Sequence, residues 1–368
     1  MLQRPPATPG MSEDEVDTPA LIVDLDALEH NLDRMAAYCA KAGVRLRAHA
    51  KTHKSPVIAH WQIARGAVGQ CVQKVAEAEV LAWGGVGDIL VSNEVVSPAK
   101  LARLAALARM SRVAVCADTP AALPLLEQAA EAAGTRLSVL VEVDVGAGRC
   151  GLPAGGPSVD LARRIAASRH LRFGGLQAYH GAAQHQRTPA ERRASVDGAV
   201  AAVVETLDGL RAAGLEAGIV GGAGTGTFEL EGASGVYTEI QAGSYIFMDA
   251  DYGRNTPAPD FRQSLYVLTG VMSARDGLAV VDCGHKGIAV DSGLPMVADR
   301  PGLVYHGPSD EHGMLDCREA ESPPLLGEKL RLVPGHCDPT VDRYDWYVGL
   351  RKGRVESVWP IAARGAMA

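Results

Sequence analysis

Along the first two-thirds of the chain, short aliphatic runs alternate with longer stretches whose apolar residues recur at helical spacing. The runs fall at residues 44–46, 70–72, 88–91, 112–116, 137–143, 173–178, 217–220 and 238–241. Alanine-rich helical patterns lie between most of them, at 74–83, 98–109, 120–133, 160–168 and 189–213. Strands of near-continuous Val, Leu and Ile character separated by helices predict a parallel sheet buried on both faces. Eight of them predict closure into a TIM-like (β/α)8 barrel, an α/β architecture. An open doubly wound sheet is the alternative this pattern leaves standing.

The flanks read differently. Residues 20–23 form a strand-like run, followed by an amphipathic stretch that places Leu25, Leu28, Leu32 and Met35 on one face. After Asp249 the helical pattern stops. Strand-like runs follow at 265–271, 278–281, 302–305, 329–333, 346–350 and 354–359 with no long helix between them. The expected organisation is an N-terminal arm at 1–16, a barrel at 17–255 and a mainly β C-terminal domain at 256–368, which the early strand 20–23 could join.

Composition narrows the function classes. A chain of 368 residues with 47% hydrophobic content can bury one large core and a smaller one. A net charge of −7 with scattered basic residues gives no footprint for nucleic acid or an anionic membrane. No apolar run approaches the ~18 residues of a spanning helix. The Pro-rich, polar start lacks a signal-peptide core, so a cytoplasmic location is expected. The seven cysteines include no C-x-x-C pair, which argues against a disulfide framework or a Cys-rich zinc site.

In such barrels the chemistry sits at the C-terminal ends of the strands. Just past the successive runs come His49 and Lys51, Gln73, Asn93 and Glu94, Glu142 and Arg149, and Tyr179 with His185. The last two runs lead to a glycine-rich loop containing Gly224, Thr225 and Gly226, then to Gly243, Ser244 and Tyr245. Taken alone, a Lys-rich turn reads as a solvated basic loop, but a lysine held at a strand mouth beside other cations is expected to favour its neutral, nucleophilic amine. The glycines follow the seventh run rather than the first, which is where barrels bind phosphate through backbone N–H groups, not where a dinucleotide fold does. Phosphate plus an imine-forming lysine suggests pyridoxal 5′-phosphate, with Arg149 facing the pyridine nitrogen and Tyr179 near the ring. Near the end, P-G-H-C-D-P-T offers His336 and Asp338. Read as an extended segment, it turns both to one side and Cys337 to the other. One nitrogen and one oxygen suit Mn2+, Mg2+ or another divalent ion, although on spacing alone a His and Asp capping a Gly/Pro turn is the favoured reading. D-E-H-G at 310–313 is a second polar knot, expected to be a solvated loop.

Taken together, R-A-H-A-K-T-H-K, C-V-Q-K-V-A-E-A-E, V-E-V-D-V-G-A-G-R-C-G, Q-A-Y-H-G-A-A-Q-H, G-G-A-G-T-G-T, D-E-H-G and P-G-H-C-D-P-T resemble one family. It is that of the D-threonine aldolases, 3-hydroxy-D-aspartate aldolases and D-serine dehydratase-like proteins, fold-type III PLP enzymes related to alanine racemase. The resemblance runs from about residue 17 to the end. It implies a homodimer in which the β-domain of one subunit completes the site of the other. It implies Lys51 as the Schiff-base lysine and Gln73, Arg149 and Tyr179 as PLP contacts. It implies 224–227 with Gly243, Ser244 and Tyr245 as the phosphate cradle. His185 is then the base for the substrate hydroxyl, and His336 and Asp338 are the metal ligands. Relatives of the dehydratase branch carry H-x-C there, so H-x-D favours the aldolase branch; Ala223 stands where relatives often have a third glycine. The implied reaction is retro-aldol cleavage of a D-3-hydroxy amino acid, such as D-threonine or D-3-hydroxyaspartate, to glycine and acetaldehyde or glyoxylate. A β-eliminating dehydratase is the nearest alternative and a non-catalytic PLP-binding protein a remote one.

Overall fold

Continuous β-branched and aliphatic sequence does produce parallel strands. In the computed structural model, which describes residues 3–368, eight of them close into a barrel. An earlier strand, β1 (Ala20–Asp24), lies outside it. The barrel strands are β2 (Arg45–His49), β3 (Gly69–Val72), β4 (Asp88–Glu94), β5 (Arg112–Ala117), β6 (Leu137–Glu142), β7 (Leu171–Ala178), β8 (Ile219–Gly222) and β9 (Glu239–Ile240). Alternate residues face opposite sides. Cys71, Leu90, Cys116 and Leu140 fill the interior. Ile89, Val91, Val113, Val115, Val139 and Val141 pack outward beneath the helices. Closure between β7 and β8 needs a glycine: Gly175 has φ +140°, and a Cβ there would sit 1.9 Å from the Ile219 carbonyl oxygen.

The helices are α1 (Leu25–Ala42), α2 (Pro56–Ala64), α3 (Val75–Trp83), α4 (Pro98–Leu107), α5 (Leu123–Ala133), α6 (Gly156–Ala167), α7 (Pro189–Ala212) and α8 (Phe228–Ala233). The pattern of apolar residues does not reveal α2 or α8. Helix α2 is too apolar all round to show a stripe, and α8 is a short segment directly after the glycine loop. Helix α1 is delimited as its sequence dictates. The Asp24 carboxylate accepts from the Ala27 N–H at 2.9 Å, and Gly43 ends the helix in the left-handed region.

The chain after the barrel forms α9 (Ala250–Gly253), β10 (Leu265–Arg275), β11 (Leu278–Val281), β12 (Met296–Val297), β13 (Val304–Pro308), β14 (Gly313–Asp316), β15 (Lys329–Val333), α10 (Cys337–Val341), β16 (Trp346–Arg351) and β17 (Arg354–Pro360). Its strands build a nine-stranded sheet that includes β1. Strand β1 pairs antiparallel with β10 (Ile22↔Tyr266) and parallel with β16 (Ile22↔Val348). Four of its five residues are buried, so both faces as well as both edges need cover, which only a central position supplies. A single cluster holding Leu28, Leu32, Ile58, Phe247, Leu332 and Tyr347 runs from barrel to sheet, so the two units share a core. Among the described residues no helix is long and apolar enough to cross a membrane.

Candidate active site

The C-terminal mouth of the barrel opens into a cavity of about 370 Å3. Lys51, Gln73, Arg149, Tyr179, His185, Gly224, Thr225, Gly243, Ser244, His336 and Asp338 all line it. Two residues expected there do not. The Gly226 N–H is taken by Gln184 Oε1 at 3.0 Å. The Tyr245 side chain is fully buried in the shared core, where its hydroxyl accepts from Gln62 Nε2 at 3.1 Å.

Strand β2 delivers His49 to the rim, and Lys51 follows two residues on. His49 is held by both ring nitrogens: Nε2 lies 3.1 Å from Gln73 Nε2 and 3.4 Å from Ser92 Oγ, and Nδ1 accepts from the Lys51 N–H at 3.4 Å. Burial, with the Lys51 charge adding to it, pushes the imidazole well below its ordinary pKa. Lys51 itself differs from the sequence expectation. Burial, the largest single influence, disfavours its cation, but the Asp338 carboxylate 3.7 Å away and the Tyr179 hydroxyl together outweigh it and raise the amine above its usual value. The missing information was the partner, which lies 287 positions along the chain. The other cations of the motif are structural. Lys54 bridges Glu77 (2.8 Å) and Asp342 (3.2 Å), and Arg47 bridges Glu239 (2.7 Å) and Asp88 (2.6 Å).

Opposite Lys51, the Arg149 guanidinium sits 5.8 Å from the Tyr179 ring centroid and 3.9 Å from Glu142 Oε1. The loop carrying Arg149 is wound around Asp144, which accepts from the N–H groups of Gly146 (3.0 Å) and Gly148 (3.1 Å). At the ends of β8 and β9, neighbouring groups pack too closely on Gly224 and Gly243 to admit a side chain. A Cβ on Gly224 would lie 2.5 Å from Gln184 Oε1, and one on Gly243 would lie 2.5 Å from Thr52 Oγ1. Thr225 is 1% exposed and its Oγ1 has no hydrogen-bond partner, a cost of about 1–3 kcal/mol unless a ligand oxygen meets it. A hydroxyl without a partner, glycines at close approach and a lysine on the same wall fit a phosphate-bearing aldehyde cofactor.

His336 and Asp338 converge here for a reason the extended reading does not contain. His336 has extended dihedrals (φ −140°, ψ 134°), but it caps α10, so Asp338 already lies in a helical turn. His336 Nε2 is 3.9 Å from Asp338 Oδ2. On the far side, His336 Nδ1 and the Cys337 N–H both reach Asp249 Oδ2, at 2.8 and 3.0 Å. Burial works against the His336 imidazolium, but Asp249 and Asp338 outweigh it and raise its pKa to about 9. Burial likewise opposes the Asp338 carboxylate, yet His336 and Lys51 hold it down at about 2. Asp249, His336 and Cys337 also bring ligand atoms within 4.8 Å of one another. That trio is the poorer cation site, because Asp249 already accepts two hydrogen bonds and the Cys337 thiol is fully buried, with its pKa driven well up by burial. His336 and Asp338 line the cavity, whereas Asp249 and Cys337 do not.

His185 ends a short 3-10 turn (Ala182–His185) after β7, and its Nδ1 hydrogen-bonds Asp251 Oδ2. Sequence reasoning missed Asp249 and Asp251. Both lie in F-M-D-A-D-Y, where the alternation of aspartates beside α9 is the one local signal. D-E-H-G, by contrast, leads into β14 and contributes nothing to the cavity.

A closed eight-stranded barrel with a lysine just past its first strand and an added β-sheet defines an enzyme of the alanine racemase type. Residues 23–251 match the family described as alanine racemase, N-terminal domain, and residues 264–350 match a serine dehydratase domain family. The chain belongs to the family of the D-threonine and 3-hydroxy-D-aspartate aldolases and is a carbon–carbon lyase of that type. It is 48% identical to a 3-hydroxy-D-aspartate aldolase of Paracoccus denitrificans (strain Pd 1222), over 98% of this chain and 95% of the relative. The crystal structure of D-threonine aldolase from Filomicrobium marinum is similar with a TM-score of 0.97 and 49% identity, covering 99% of this chain and 100% of that one. More distant, at 30% identity over 94% of this chain and 97% of its own, is a D-threo-3-hydroxyaspartate dehydratase of Delftia sp. (strain HT23).

Proposed function

We propose that the protein is a PLP- and divalent-cation-dependent aldolase that cleaves D-3-hydroxy amino acids between Cα and Cβ, giving glycine and an aldehyde. The observation that carries this reading is a carboxylate, Asp338, paired with His336 on the wall that faces Lys51. In this reading Lys51 Nζ holds the cofactor covalently. Thr225, Ser244 and the backbone at Gly224 and Gly243 grip its phosphate, while Gln73, Tyr179 and Arg149 orient its ring. PLP bound there supplies a sink for the electron pair left on Cα. Mn2+ or Mg2+ on His336 and Asp338 would acidify the substrate hydroxyl. His185 accepts that hydroxyl proton through Nε2, the ring nitrogen that Asp251 does not engage. A dehydratase would remove the Cα proton and expel the hydroxyl instead.

The test is product identification with purified holoenzyme and D-threonine or D-3-hydroxyaspartate. Glycine with acetaldehyde or glyoxylate is expected; a keto acid with ammonia would overturn the aldolase reading in favour of elimination. His185→Ala is expected to lower kcat by roughly 10²–10⁴-fold. We further infer a homodimer, supported by the exposed Met296, Leu325 and Leu326 on the sheet-bearing half. The seven unpaired cysteines suit a reducing compartment, in keeping with a cytoplasmic enzyme.

A further inference from the structure

The His185 imidazole is bound into an ionic cluster that the proposed reaction leaves without a task. Asp251 is 4% exposed and divides its carboxylate between two functions. Its Oδ1 accepts from Arg187 Nη2 at 2.5 Å and from Arg254 Nη2 at 2.7 Å, while its Oδ2 is left to His185 Nδ1. The two arginines are themselves fixed. Arg187 Nη1 donates to the Asp251 carbonyl oxygen at 2.8 Å and to Asn255 Oδ1 at 2.7 Å, and Arg254 Nη2 donates to the Ser292 carbonyl oxygen at 2.8 Å. Asn255 in turn donates to the Gln184 carbonyl oxygen at 3.0 Å, beside the histidine. The Tyr252 ring lies 5.8 Å from the imidazole, centroid to centroid, and completes the groups packed on it.

Such bracing does more than hold a loop. A carboxylate can only accept, so the Asp251 contact places the imidazole proton on Nδ1 and leaves the Nε2 lone pair for the cavity. Burial pushes the Asp251 carboxyl up, but hydrogen bonds from Arg187 and His185 outweigh it and keep the carboxylate charged below the usual range. We propose that Asp251, clamped by Arg187 and Arg254, is the positioning residue that sets the tautomer and aim of His185 for removal of the substrate hydroxyl proton. This rests on the assignment of His185 as the base.

Asp251→Asn tests it with little change of shape. The arginines keep the amide oxygen at the Oδ1 place, which turns the NH2 toward His185 Nδ1. That nitrogen must then accept, and the ring proton moves to Nε2. With PLP, Mn2+ and D-threonine, kcat is expected to fall roughly 10²-fold or more. KM should stay within about threefold. The acid limb of the kcat–pH profile should move to lower pH, because the imidazolium loses its counter-charge. The ¹⁵N shifts of the His185 ring, assigned by difference with His185→Ala, should report the change of tautomer directly. In the His185→Ala background, Asp251→Asn should cost nothing more. Equal losses from Asp251→Asn in both backgrounds would show that Asp251 acts through the fold and would overturn the proposal. So would an impaired His185→Ala beside an Asp251→Asn of normal kcat. Wild-type kcat in His185→Ala would instead remove the base assignment itself.

Discussion

Glu142, a residue only 4% exposed, ends β6 with an Oε2 that meets no donor, although Arg149 stands nearby. Burial first, and the neighbouring Glu94 carboxylate second, push its pKa to about 8. Unfolded, the same group titrates near ~4.3. Between these values the folded protein keeps a proton that the unfolded chain has released, so stability falls as pH rises through the window. Glu142→Gln carries no such charge. The variant is therefore expected to melt higher than the native protein at about pH 8, with the advantage shrinking toward about pH 5. A pH-independent difference in thermal unfolding would sink this account. Lys51 teaches the complementary lesson at the same scale. Its place at a strand mouth is legible from the sequence, yet its charge balance is not, because the deciding carboxylate, Asp338, reaches it only through the fold.

Among the elements, α9 and α10 act as a pair. Asp249 caps α9 by accepting from the Tyr252 N–H at 2.9 Å through Oδ1 and uses Oδ2 for His336 and Cys337, the cap of α10 and its first residue. The Ala250 N–H also donates to the Pro334 carbonyl oxygen at 3.0 Å, sewing the two segments together. A ligating histidine whose second nitrogen is fixed by a carboxylate binds metal better, and losing that support typically costs 10–100-fold in affinity. Asp249→Asn is thus expected to weaken Mn2+ binding by about that factor in titrations of the apoprotein, with the fold retained. Unchanged affinity would separate Asp249 from the cation site. The pair also marks where the sequence stops being informative. The barrel strands and long helices announce themselves through residue type and period. A five-residue helix in G-H-C-D-P-T-V does not, because one turn is too short for a period. The extended reading of H-x-D placed His336 and Asp338 on one side, and the structure brings them together through a helical turn instead. Tyr245 and Gly226 were misplaced for a related reason: their neighbours in the glycine loops face the cavity, but tertiary partners, Gln62 and Gln184, claim these two.

At the scale of the whole molecule, the change of texture after Asp249 suggests two domains with separate cores, and the packing joins them. Leu21 and Val23 of β1, Leu28, Leu32 and Met35 of α1, and Leu46 and Ile58 of the barrel share one buried cluster with Val267, Leu332 and Tyr347. Strand β1 precedes the barrel in the chain but finds both of its partners, β10 and β16, beyond residue 264. Ending the chain at residue 255 would leave Leu21, Ile22 and Val23 without cover. Each is worth about 1.5–3 kcal/mol of burial, against a total stability of about 5–15 kcal/mol for a typical domain. The lost contacts of α1 and of Phe247 add to that deficit, and the apolar seam they expose invites aggregation. A fragment of residues 1–255 should accordingly show no cooperative thermal transition, whereas the full chain should melt as one unit followed by circular dichroism. A sharp, reversible transition in the fragment would mean that the barrel is self-sufficient and that the shared cluster contributes little. The cavity depends on the same union, because His336 and Asp338 reach Lys51 only while the sheet holds α10 against the barrel mouth.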